Sequence, residues 1–251
     1  MELNLSNKVV IVTGSSKGIG LSIARYLSNE GCKVVINGRD IKKLKKAQLL
    51  IPNCLAISAD VSVPSEAKRL INETIKAYGH INHIICNAGS GKSVSPGNET
   101  YKEWQNVFAT NFWTATNMVE SAKSFLASTK GSIVCISSIC GIEYIPDAPI
   151  TYSVSKSALN AYVKSISRPL GKRNIRINAI APGNILFEGS VWDRKIQENL
   201  GNVEKILERD VALNKLGSTE DICNLTGYLL SSHANFVTGA VWTIDGGQIR
   251  G

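Results

Sequence analysis

Long apolar runs are missing from this chain. No stretch approaches the roughly 20 uninterrupted apolar residues that a membrane span needs. The N-terminal residues MELNLSNK lack a basic segment followed by an apolar one, so no export signal is expected and the cytoplasm is the expected location. Cysteine pairs are also missing: the six cysteines (32, 54, 86, 135, 140 and 223) are scattered, with no C-x-x-C, and several lie in apolar runs. That fits a reducing compartment better than a disulfide framework. Only three histidines are present, and no metal centre is expected. Repeats, low-complexity tracts and linkers are absent as well, so residues 1–251 are read as a single domain.

What is present is an ordinary globular composition, 43% hydrophobic and 19% charged, which excludes disorder as the ground state. The net charge of +8 attracts anions such as phosphates or an acidic carrier protein. Much of it lies in KKLKK (42–46), which reads first as the solvated face of a helix. No recognition motif supports nucleic-acid binding.

Short β-branched runs alternate with amphipathic stretches. Strands are expected at 9–13, 33–37, 54–58, 81–86, 132–137, 175–180 and 240–245. Between them, apolar residues recur at helical spacing. Ala67, Leu70, Ile71, Ile75 and Tyr78 form one face of a helix that should stop at Gly79. Near-continuous apolar strands joined by helices predict an α/β fold: a doubly wound, Rossmann-type parallel sheet of about seven strands with helices on both faces. Such sheets bind ligands beyond the carboxyl ends of their strands, where strand order reverses.

The stretch VTGSSKGIG (12–20) follows the first strand and places glycines at Gly14, Gly18 and Gly20. Gly14 would let the chain turn off the strand. Gly18 and Gly20 would let a helix start lie close to a ligand and to the sheet. A glycine-rich turn with no ligand has the same appearance. Further along, Tyr152 and Lys156 stand four apart, which puts both on one helix face. A phenol beside an ammonium suits carbonyl reduction, where hydride arrival leaves charge on oxygen that must receive a proton.

TGSSKGIG, Asp60–Val61, NAG (87–89), Asn111, ISS (136–138), YSVSK (152–156), PG (182–183) and TGAVWTIDGG (238–247) occur in that order. In this the chain resembles the classical short-chain dehydrogenase/reductase family, from Lys8 to Gly247, and is similar to its 3-oxoacyl-acyl-carrier-protein reductases. The resemblance implies an oxidoreductase that moves a hydride between a nicotinamide and a carbonyl or secondary alcohol. It implies Tyr152 as the general acid in reduction and Lys156 as the group that lowers its pKa and holds the nicotinamide ribose. It further implies that Ser138 donates to the substrate oxygen and that Asn111 anchors a proton-relay water. Ser137 competes for the serine role; its other reading is a strand-end hydroxyl capping backbone. Asn111, taken alone, reads as an amide bonding to a neighbouring loop.

Gly14, Ser16, Lys17, Gly18, Ile19, Gly20, Asp60, Val61, Asn87 and Gly89 are implied to line the cofactor, with Pro182, Gly183 and the backbone of Ile185 beside its carboxamide. Cys86 departs from the family, which often has a second Asn there. The family's NAD-preferring members carry Asp at the end of the second strand, where this chain has Gly38 followed by Arg39. Arg39 with Lys17, helped by Ser16 and Asn37, suits a 2′-phosphate, so NADP is expected rather than NAD. Asp40 either meets the ribose or caps the next helix.

Residues 183–210 interrupt the strand–helix rhythm and should form a substrate lid. Phe187, Val191 and Trp192 either close over an apolar substrate or pack the lid onto the body. The loop 89–100 would form the opposite wall. The substrate is a small carbonyl or alcohol: a 3-oxoacyl thioester carried by acyl carrier protein or CoA is one reading, and a sugar, steroid or small alcohol another. A non-catalytic nucleotide-binding protein is the reading from a different class. A homotetramer or homodimer is implied, through the helix around 101–127 and the helix carrying Tyr152. Pro169, which removes a backbone donor, could kink the latter or end it early.

Overall fold

The computed structural model describes residues 2–250. Seven parallel strands form one sheet: β1 (Val9–Val12), β2 (Lys33–Gly38), β3 (Leu55–Ser58), β4 (His83–Cys86), β5 (Ser132–Ile136), β6 (Arg176–Pro182) and, last in the chain, β9 (Val241–Ile244). Their order is β3-β2-β1-β4-β5-β6-β9. The chain winds outward one way from β1 to β3, then crosses back to lay β4 on the other side of β1. That reversal opens a crevice beyond the carboxyl ends of β1 and β4.

Strand sequences are apolar on both sides because both sheet faces are covered. On one face, Ile11, Ile84, Ile133 and Ile177 pack against α3 (Pro64–Tyr78), α5 (Thr114–Thr129) and α6 (Ile150–Gly171). On the other, Val10, Val12, Ile36 and Val134 pack against α1 (Gly18–Asn29), α2 (Ile41–Gln48) and α8 (Thr219–Leu230). Burying one such Ile or Val side chain contributes about 1.5–3 kcal/mol, and the alternation along β1 divides that gain between two layers. Helix α3 buries Ala67, Leu70 and Ile71 and ends on Gly79 at φ +79°, a left-handed conformation suited to glycine. The lysines of α2 are exposed around a buried Leu44, as a solvated helix face requires.

Four features differ from the sequence reading or add to it. Strand β6 runs on to Pro182 because Ala181 and Pro182 still pair with Thr243 and Ile244 of β9. Between α4 (Tyr101–Phe108) and α5 the helix widens into a π turn, Ala109–Trp113. The lid region contains β7 (Ile185–Leu186), paired with β8 (Gly217–Ser218), and then α7 (Val191–Asp210), which breaks at Asn199. Pro169 neither kinks nor shortens α6 early: the helix continues to Gly171, and the proline sits in its last turn. All six cysteines are free thiols, five of them buried. No helix among the described residues is long and apolar enough to cross a membrane.

Candidate active site

The loop leaving β1 turns at Gly14, φ +62°, where a Cβ would stand 2.8 Å from Ala88 Cα. Gly20 faces Asn87 so closely that a Cβ there would overlap its side chain. Asn87 explains this crowding: its Nδ2 donates to the carbonyls of Thr13 and Gly14 at 3.0 and 3.1 Å, while its backbone N–H donates to Thr13 Oγ1. Two of the three glycines thus serve loop-to-strand packing. Gly18, φ +57°, faces the Phe187 ring, 2.9 Å from the position of a Cβ. Helix α1 begins there with no side-chain cap and no acidic residue in its first turn. Its free N–H groups and positive dipole end stay available to an anion.

Ser16, Lys17, Asn37, Arg39, Asp60, Val61 and Gly89 converge with Gly14 on one cavity of about 200 Å³. Arg39 is exposed and stands 3.5 Å from Asp60. Partial burial works against the Asp60 charge, but hydrogen bonds from Ser62 and the Arg39 guanidinium outweigh it and hold the carboxyl below the usual range. Asn37 is committed elsewhere, since its Nδ2 donates to the carbonyls of Ile57 and Ala59, both at 3.1 Å, tying β2 to β3. Asp40 caps α2, accepting from the N–H groups of Lys42 and Lys43. Ile19 packs into the second apolar layer.

Strand β5 delivers Ser137 and Ser138. Ser137 Oγ donates to Asn160 Oδ1 at 2.6 Å, a side-chain partner and not the backbone cap expected of it. Ser138 Oγ accepts from Cys140 N–H at 3.2 Å as the 3₁₀ turn Ile139–Gly141 begins. That turn presses on α6, for a Cβ on Gly141 would stand 2.6 Å from the Lys156 carbonyl carbon. Lys156 Nζ donates to the Ile136 carbonyl at 2.8 Å and lies 5.8 Å from the centre of the Tyr152 ring. Tyr152 is half-buried as a residue, with its hydroxyl at the enclosed end. Burial pushes its phenol up to about 12, against the pull of the Ser138 hydroxyl. Burial also lowers Lys156 to about 8. Without a cofactor, then, desolvation dominates both groups, and the lysine ammonium faces the ring and a carbonyl.

Asn111, in the π turn, is fully buried. Its Oδ1 accepts from Ser90 N–H, and its Nδ2 donates to the carbonyls of Ser90 and Val107. The amide therefore fastens the loop after β4. It also touches the site, since a Cβ on Gly89 would stand 2.9 Å from Asn111 Oδ1 and 3.5 Å from Lys156 Nζ. Gly183 lies where a Cβ would meet Asp245, Pro182 closes β6, and Ile185 is buried in β7. One residue escaped the sequence reading. Asn160 continues the Tyr152–Lys156 face by another four residues; it accepts from Ser137, and its Nδ2 donates to the Gly141 carbonyl at 3.0 Å. A polar residue on the buried face of an amphipathic helix is the signal that marks it.

Phenol, ammonium and serine hydroxyl thus meet at the mouth of the sheet, beside a helix N-terminus open to an anion. Over residues 14–248 the chain matches the family described as Enoyl-(Acyl carrier protein) reductase, and it belongs to the short-chain dehydrogenase/reductase family of oxidoreductases. It is 30% identical over 250 residues to a 3-oxoacyl-[acyl-carrier-protein] reductase of Chlamydia muridarum, covering 97% of this chain and 98% of the relative. It is 29% identical over 255 residues to dehydrogenase/reductase SDR family member 4 of Rattus norvegicus, covering 97% and 88%. Among solved structures, L-sorbose reductase of Gluconobacter frateurii, complexed with NADPH and L-sorbose, superposes with a TM-score of 0.92 at 26% identity, over 100% of both chains.

Proposed function

We propose that the protein reduces a small-molecule ketone to a secondary alcohol with NADPH, and that Tyr152, Lys156 and Ser138 form its reacting centre. The residues fit such a cofactor on three counts. The α1 N-terminus is uncapped, a tight glycine turn exposes its backbone, and Lys17 and Arg39 supply cations on the cavity that Asp60 closes. Arg39 and Lys17 would hold the 2′-phosphate, with Ser16 adding a hydrogen bond. Asn37 takes no part through its Nδ2. The NADPH in the sorbose reductase complex supports this choice over NAD.

When bound, the nicotinamide supplies a hydride to the carbonyl carbon. Tyr152, protonated at any physiological pH with a phenol near 12, gives its proton to the substrate oxygen as charge develops there. Ser138, its Oγ already accepting from Cys140 and its hydroxyl set against the Tyr152 phenol, turns its proton to that oxygen to fix its position. Lys156 holds a cation beside the ring and steadies the phenolate left behind. Asn111 anchors the loop wall and Gly89 near the lysine. The observation that carries this reading is the convergence of Ser138, Tyr152 and Lys156 in one enclosed space.

The run of packed aromatic rings from Trp104 and Phe108 on α4 through Phe112 and the exposed Trp113 of the π turn to Tyr162 on α6 suits a second copy of the chain, and a dimer or tetramer should appear in sedimentation. The deciding experiment is a ketone and alcohol panel with NADPH and NADH, followed at the nicotinamide absorbance. Turnover that Tyr152→Phe silences supports the proposal. Tight NADPH binding with no turnover across the panel would replace it with a binding protein.

A further inference from the structure

We infer that Ser93 is a positioning residue for Tyr152, clamping the loop after β4 and the start of α4 onto the first turn of α6. The inference rests on the reductase reading above and gives a part in it to a hydroxyl that protein groups bond on both sides.

Tyr152 stands in the first turn of α6, and the first turn of a helix is the one least held by its own hydrogen bonds. Local support is thin here. The N-cap is Pro149, which has no side-chain oxygen for the free N–H groups, and the first bond within the segment runs from Ser153 N–H to the Pro149 carbonyl. The loop ahead is exposed from Ile142 to Tyr144 and again at Pro146 and Asp147. Firm attachment begins one turn later, where Lys156 bonds the Ile136 carbonyl and Asn160 bonds Ser137 and the Gly141 carbonyl. Tyr152 thus lies between an exposed loop and the anchored part of its helix.

Thr151, the residue before it, supplies the missing anchor. It is fully buried, and its Oγ1 lies 2.6 Å from Ser93 Oγ. Ser93 Oγ donates to Glu103 Oε1 at 2.7 Å. A carboxylate only accepts, so the single Ser93 proton goes to Glu103 and Thr151 donates to Ser93. The bond to the carboxylate is charge-assisted. Glu103 is itself fixed in the first turn of α4, where Thr100 Oγ1 accepts from its N–H at 3.2 Å and where negative charge is favoured. Thr100 and Glu103 have the spacing of a capping box, but the carboxylate turns to Ser93. One hydroxyl therefore joins the loop after β4, α4 and α6.

The loop is pinned at its other end as well. Asn111 holds Ser90 through both its N–H and its carbonyl, and a Cβ on Gly89 would stand 3.5 Å from Lys156 Nζ. From Gly89 to Ser93 the chain runs alongside the stretch of α6 between Lys156 and Thr151, about 7.5 Å of helix with Tyr152 inside it. Releasing Ser93 frees the far end of this wall together with the first turn of α6. Asn111 still keeps Gly89 and Ser90 at the cofactor cavity. A misplaced proton donor slows the chemical step, while the proposed cofactor contacts stay in place.

The test uses the purified full chain with NADPH and measures kcat and KM on 2,3-butanedione, acetophenone and acetoacetyl-CoA. Ser93→Ala and Thr151→Val should each lower kcat about tenfold on whichever of these the parent reduces, with KM for NADPH within about twofold of the parent's. The conservative Ser93→Thr and Thr151→Ser keep the hydroxyls and should recover kcat to within about threefold. The double variant should lose no more than either single one, since both remove the same bond. Amide exchange read by mass spectrometry should quicken around residues 90–95 and 148–153 and stay unchanged around 156–160. Should Thr151→Val, at a buried position, melt early, Glu103→Ala, at a half-buried one, replaces it and should give the same loss of kcat. An unchanged kcat in Ser93→Ala, losses that multiply in the double variant, or a Ser93→Thr variant as slow as Ser93→Ala overturns the clamp and leaves the reductase standing. A parent chain that reduces no ketone removes the reductase reading, and the positioning role with it.

Discussion

Lys156 directs its ammonium to the Ile136 carbonyl at 2.8 Å while standing 5.8 Å from the centre of the Tyr152 ring, one helical turn away. The lysine is thereby fixed before any ligand arrives, and the phenol is left protonated by its own burial. Tyr152→Phe keeps the ring and removes only the proton. In the proposed reaction it should lower kcat about 10²–10⁴-fold. NADPH affinity, read by quenching of protein fluorescence, should change by less than about threefold, because only an unmade donor is lost.

The same geometry sets a pH limb. Reduction needs Tyr152 protonated, which holds below about 12, and Lys156 charged, which holds below about 8. The rate with NADPH should therefore be level at neutral pH and fall as pH rises through about 8. Lys156→Arg keeps a cation at all accessible pH, so whatever activity it retains should show no such fall. A limb that persists in that variant would assign the titration to another group.

Cofactor choice rests on Arg39, exposed and only 3.5 Å from Asp60, and on the missing side chain at Gly38. A Cβ on Gly38 would stand 3.4 Å from Ser16, a contact that yields by a few tenths of an ångström. Gly38→Asp with Arg39→Leu should cost NADPH about tenfold or more in Kd, the loss of a charge-assisted pair, and improve NADH. Isothermal titration with each cofactor measures both, and unchanged NADPH affinity would remove Arg39 from the site.

The fold was legible because its strands are buried on both faces: VVIV of β1 is β-branched and apolar at every position, as a central strand is, and Gly79 ends α3 where the apolar spacing ends. What stayed hidden depends on long-range partners. The π turn around Asn111 has no local signature, and the amide's attachment to Ser90, 21 residues away, appears only once the loop is placed. The two-residue strands β7 and β8 are too short for any period to register. Gly14 and Gly20 read as ligand-facing glycines, whereas their absent side chains also make room for Ala88 and Asn87. The upward direction of the Tyr152 pKa was likewise out of reach, since desolvation is a property of the packed site.

Asn160 ties the turn that carries Ser138 to the helix that carries Tyr152, bonding Ser137 at 2.6 Å and the Gly141 carbonyl at 3.0 Å. As a positioning residue it touches no substrate. Asn160→Ala should cost about 1–3 kcal/mol of stability for the groups left unpaired and lower kcat about tenfold by loosening Ser138, with KM for NADPH unchanged. Asn160→Gln should recover little, because a longer side chain cannot meet both partners. Loss of stability with kcat intact would make the residue purely structural.

His83 opens β4 between Val10 and Ser132 and is buried with its Nδ1 unpaired. Burial, with Arg176 and Lys8 nearby, lowers its pKa to about 3, against about 6.5 in an unfolded chain. Above pH 6.5 the ring is neutral in both states and costs nothing. Between about 6.5 and 3 the unfolded chain binds a proton that the folded protein refuses, so stability falls as pH falls. From pH 7 to 4.5 this single group should remove about 2–3 kcal/mol. His83→Gln, polar and without a titrating ring, should shrink the difference between urea-unfolding free energies at those two pH values by that amount. Equal slopes in variant and parent would mean that the ring is protonated, or exposed, in the folded state.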